Sequence, residues 1–84
     1  MSTQHPHDDH PVPAAVVALY DDIPSGAAPA TERVAWLDRK AAVFDRLATC
    51  TDARFTDSDR AYSAARAVEA RHAAHIIREQ EAQR

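Results

Sequence analysis

A chain of 84 residues with a formal net charge of −3 allows one small domain and argues against general affinity for nucleic acid. Its 45% hydrophobic content is half alanine, 19 of 38 residues, so large apolar side chains are few. The core is therefore thin, and a second copy or a partner would add stability. One cysteine, Cys50, excludes a disulfide framework, and one glycine, Gly26, excludes a glycine-rich phosphate loop.

No apolar run approaches the ~20 residues that cross a bilayer, and Met1 to His10 has neither the basic nor the apolar region of a secretory signal. With a lone cysteine, the reading is a cytoplasmic protein that does not engage a membrane. Charge is uneven along the chain. Asp8, Asp9, Asp21 and Asp22 precede Thr31 without a basic residue, whereas all ten basic residues follow it.

In chain order, residues 1–11 read as a disordered polar arm carrying His5, His7, His10, Asp8 and Asp9. The rest, 12–84, reads as one helical domain. A short helix is predicted over about 13–22, started by Pro13, with Val16, Leu19, Tyr20 and Ile23 on one stripe. Pro24 ends it. Asp21 and Asp22 lie at the end where the helix dipole disfavours anions, so this helix depends on tertiary contacts.

A second helix is predicted over about 31–51, with Thr31 as its N-cap and Glu32 in its first turn. Val34, Trp36, Leu37, Ala41, Val43, Phe44, Leu47 and Ala48 span about half its circumference. Lys40 lies inside this arc and must snorkel. Asp38, Asp45, Arg39 and Arg46 take the other side.

A third helix is predicted over about 57–82. Thr56 and Asp59 make an acidic capping box, and no Gly or Pro follows. Ala61, Ala65, Val68, His72 and Ile76 form the face expected to pack on the second helix, small against large. Antiparallel pairing sets Leu47 near Ala61, Val43 and Phe44 near Ala65, Trp36 near His72 and Val34 near Ile76. Tyr20 and Ile23 of the first helix are expected to cover Ile76 and Ile77. The fold class is thus all-α, a long antiparallel hairpin with a short helix docked on it. Dimerisation into a bundle would use the surplus apolar arc of the second helix.

Several constellations bear on chemistry. His5, His7 and His10 are metal-ligand types, but a solvated tail explains them as well. Glu69-x-x-His72, with His75 nearby, matches the half-site of carboxylate di-iron bundles, yet Asp38 and Asp45 point away from the facing arc. Packing is the simpler role for His72, and no metal or other cofactor is expected. Cys50 and His72 are too far apart in the antiparallel register, ~20 Å, to form a nucleophile–base pair. The chain therefore reads as non-enzymatic.

Arg60, Arg71 and Arg78 fall within ~20° around the third helix and could contact phosphates. The function expected is a protein–protein interaction or regulatory module that binds itself or another protein through Trp36, Val43, Phe44 and Leu47. The alternative is a nucleic-acid-binding accessory that uses the three arginines.

The stretch from Trp36 to Ala48, followed by the Ala/Arg-rich helix through Ala73, also resembles small actinobacterial alanine/arginine-rich helical proteins of unknown function. Their helix has the pattern W-x₃-[RK]-A-A-φ-φ-x-x-[LI]-A, matched here by Trp36, Lys40, Ala41, Ala42, Val43, Phe44, Leu47 and Ala48. The resemblance covers about half the chain. It implies an actinobacterial origin and carries no activity.

Overall fold

The computed structural model describes residues 13–84, so the arm at 1–11 and its histidines lie outside the described residues. Three helices follow in order: α1 (Ala14–Asp21), α2 (Ala30–Ala48) and α3 (Asp57–Ala82). No strand occurs among the described residues. The all-α hairpin expected from the sequence is present: α2 and α3 pack along each other, and α1 docks on α2.

Proline starts both shorter helices. Pro13 and Pro29 are the N-caps, with φ of −58° and −57° set by their rings, and each carbonyl accepts the first helical N–H groups. Thr31 is therefore not the N-cap of α2. It lies one residue inside the helix, and no side chain caps that end. At the other end α2 stops at Ala48, short of the expected Thr51. The Thr49 N–H and hydroxyl both bond back to the Arg46 carbonyl there. The capping box of α3 is complete: Asp59 N–H donates to Thr56 Oγ1 (3.0 Å), and Thr56 N–H donates to Asp59 Oδ2 (2.8 Å).

The core is a line of contacts rather than a centre. Leu19, Trp36, Phe44 and Ala67 form one buried cluster, with Leu37, Val43 and Leu47 packed against it. The molecule is elongated, 54 × 28 × 14 Å, and no side chain lies far from water in its thin direction. Its radius of gyration, 15.5 Å, exceeds the ~12 Å expected of a compact chain of this length.

The buried face of α3 differs from the one expected. Ser63, Ala67, Ala70 and Ala74 face α2, at spacings of four, three and four, whereas Ala61, Ala65, Val68, His72 and Ile76 are exposed. At ~100° per residue the two faces are roughly opposite. Alanine on both sides of α3 removes the usual contrast between an apolar and a polar face. The helix instead turns its smallest residues to the bulky Trp36 and Phe44, which permits close approach and leaves the His72 imidazole in water. Large still packs on small, but on different alanines, and the expected register through Ala61, Ala65, His72 and Ile76 does not form.

The position of α1 also differs. Tyr20 does not cover Ile76. Its ring meets Trp36 edge-on, with centroids 5.6 Å apart, while Ile23 and Ile76 are both exposed. The anchor is the Trp36 indole N–H, which donates to the Leu19 carbonyl at 2.7 Å and draws α1 onto α2. Lys40 snorkels as expected, with its ammonium 5.4 Å from the Trp36 ring and 5.7 Å from the Tyr20 ring. Asp22, unfavourable at the end of α1, meets the Arg39 guanidinium at 3.5 Å.

Candidate interaction surfaces

Trp36 and Phe44, two of the four residues expected to form an external interface, are only 8% and 7% exposed. Val43 and Leu47 are partly buried beside them. The four residues come together as the chain's own core, because α1 covers one side of the wide α2 arc and α3 covers the other. The surplus apolar surface that the sequence assigns to α2 is used within the chain.

The arginines of α3 also have partners in the chain. Arg71 pairs with Asp45, and Arg78 pairs with Asp38 at 2.6 Å. Both spacings are seven residues and run in opposite directions along the two helices, so the ion pairs mark one edge of the antiparallel seam. Asp38 and Asp45, which point away from the apolar arc, thus receive these guanidinium groups.

Arg60 braces the turn. One of its terminal nitrogens donates to the Cys50 carbonyl (3.0 Å) and the Phe55 carbonyl (3.2 Å), and the other donates to Asp57 (2.6 Å). The Cys50 contact joins α3 to the chain leaving α2. The three arginines do not form a free cationic stripe. Each is tied to a carboxylate, which lowers the field available to phosphate.

In the same turn, Asp52 accepts the Arg54 backbone N–H (2.8 Å) and two bonds from the Arg54 guanidinium (3.1 and 2.9 Å). The guanidinium bonds, then the backbone bond, hold the Asp52 carboxyl well below its ordinary value, at about 2. The same partnership raises the pKa of Arg54.

The metal half-site is not assembled. Glu69 pairs with Arg66, while His72 and His75 are exposed on the outside of α3. No group of three or more His, Cys, Asp or Glu with the proximity of a metal site occurs among the described residues. Cys50 is a half-buried free thiol at the turn.

Among the described residues, apolar surface is exposed at several places, two of which lie on or beside the faces discussed above. Near the turn a shallow groove has Phe44 and Leu47 in its lining, with Tyr20, Phe55 and Tyr62 around them. The outer side of α3 carries Ala61, Ala65, Val68, His72 and Ile76, with Val68 64% and Ile76 42% exposed. The sequence did single out these five residues as an apolar face. What it could not supply was the direction in which that face points. No helix among the described residues is long and apolar enough to cross a membrane. Comparisons with known protein families, with curated proteins and with solved structures find no match.

Proposed function

We propose that this chain is a non-enzymatic helical module for protein–protein interaction, and that it associates with itself. The observation that carries this reading is the exposed apolar stripe of α3. A helix that packs on one side and displays Val68 and Ile76 on the other has apolar surface that association would remove from water. Pairing of Arg71 and Arg78 with Asp45 and Asp38 weighs against the nucleic-acid alternative.

The test is molar mass by light scattering across a hundredfold concentration range, at low and high salt. The expected result is a mass that rises with concentration towards twice the monomer and responds little to salt, because the driving force is apolar burial. A monomer mass throughout would remove self-association. Duplex binding that falls steeply with salt and with Arg71→Ala would favour the nucleic-acid reading instead.

A further inference from the structure

We propose that the groove near the turn is a docking site for residues 1–12 of the same chain, with Pro11 and Val12 over its aromatic end and Asp8 and Asp9 at its cationic end. This goes beyond the self-association reading and does not depend on it. Three observations carry it. The first is the shape and chemistry of the groove. Both α1 and α3 pack on α2 while their own backbones stay apart, and the groove is the gap left between them. Val16 and Tyr20 of α1 line one side, Tyr62 of α3 lines the other with Phe55 beside it, and Phe44 and Leu47 of α2 lie between. Tyr20 is 41% and Tyr62 59% exposed, so aromatic surface is left for a further segment to cover. Each tyrosine also carries a cation. The Lys40 ammonium lies 5.7 Å from the Tyr20 ring, and the Arg66 guanidinium lies 4.9 Å from the Tyr62 ring. Arg66 pairs with Glu69, whereas Lys40 meets no carboxylate among the described residues.

The second is where the segment joins the fold. Pro13 itself lines the groove, so Val12 is one Cα–Cα step of ~3.8 Å from its edge. A segment tied there meets the groove at an effective concentration in the millimolar range. A contact too small to hold a separate molecule is then enough, and any external peptide must compete with the chain's own.

The third is the match between the sequence of the segment and the polarity of the groove. Residues 1–12 carry two carboxylates, Asp8 and Asp9, and no Lys or Arg. At the turn end the groove is lined by Asp59, whose carboxylate accepts the Thr56 N–H and repels further acid. At the other end Lys40 lies over Tyr20, which is ~10 Å along α1 from Pro13. Asp9 and Asp8 precede Pro13 by ~13 and ~17 Å of extended chain, so both reach Lys40 when the segment turns back along α1. Pro11 and Val12 then fall on the apolar part. Proline has no N–H to leave unpaired there, and proline-bearing extended segments suit aromatic-lined grooves.

Paramagnetic labelling of the full chain tests this, with Cys50→Ser as background and a nitroxide on the thiol of His7→Cys, next to Asp8. The sample is held at a concentration where light scattering gives the monomer mass. The expected result is stronger attenuation of the Lys40 and Tyr62 amide signals than of those of Val68 and Ile76 on the outer side of α3. Asp8→Lys with Asp9→Lys is expected to remove that difference, and adding Lys40→Glu to restore it, a rescue that an undocked segment would not show. Attenuation that only falls off along the chain from Ala14, unchanged by the reversed charges, would overturn the proposal. So would attenuation centred on Val68 and Ile76. Attenuation of unlabelled copies in a mixed sample would also overturn it, because the segment would then dock on a second copy. The concentration dependence of the mass is read separately, so failure here leaves self-association standing, and a monomer mass throughout leaves this docking standing.

Discussion

The indole N–H of Trp36 donates to the carbonyl of Leu19 across seventeen residues of chain, at 2.7 Å. Leu19 lies in the last turn of α1, where its carbonyl receives only the Asp22 N–H of the cap and no i+4 helical N–H, so Trp36 completes that end of α1 as well as docking it. Trp36→Phe keeps much of the ring and removes the donor. The Leu19 carbonyl still accepts from the Asp22 N–H (3.2 Å), so the expected loss is only about 1 kcal/mol, a fall in Tm of roughly 4–8 °C. Amide hydrogen exchange should show protection falling in α1 while α2 and α3 keep theirs. Equal loss of protection in all three helices would mean that α1 is not a separable element.

Substitution by leucine separates the two faces of α3. Ala74 is 0% exposed against α2, so Ala74→Leu pushes the helices apart, at a cost of about 1–3 kcal/mol. Ala65→Leu adds the same side chain to the exposed face and is expected to change monomer stability by less than about 0.5 kcal/mol. Urea denaturation at low protein concentration checks both. The opposite ranking would restore the face read from the sequence.

The interhelical pair Arg71–Asp45 is half exposed on both partners, 54% and 46%. Solvent screening limits such a pair, and a double-mutant cycle with alanine at each position is expected to give a coupling of about 1 kcal/mol or less. The coupling should shrink between low and molar salt. These bridges align the seam more than they stabilise it.

Acid dependence is expected at the turn. The Asp52 carboxyl is held at about 2, below its ordinary value of 3.8. A depressed acid contributes stability that is present in full above its unfolded value and lost as pH falls through its folded one. Asp52→Ala should therefore be less stable than the native chain at pH 7, and the gap should close between pH 3.8 and about 2. Urea midpoints measured at pH 7, 4 and 2 for both proteins would show it. A gap independent of pH would mean that Asp52 acts through turn geometry alone.

Local chemistry was legible in the sequence by itself. Three helices, prolines at the start of α1 and the break after it, the Thr56–Asp59 capping box and the snorkelling of Lys40 all follow from side chains and their near neighbours along the chain. The apolar arc of α2 was equally plain, because bulky and charged residues occupy opposite sides of that helix. Tertiary structure alone decided which side of α3 is buried. With alanine all round, the contrast between the two sides is weak, and close approach of α2, with Trp36 and Phe44 clustered on Ala67, selects the side of Ala67, Ala70 and Ala74 over the one with the larger Val68 and Ile76. That choice turns Val68 and Ile76 outward and moves the candidate interface from α2 to α3. It also brings Arg71 and Arg78 to Asp45 and Asp38, carboxylates far away in sequence that helix periodicity could place on α2 but could not pair.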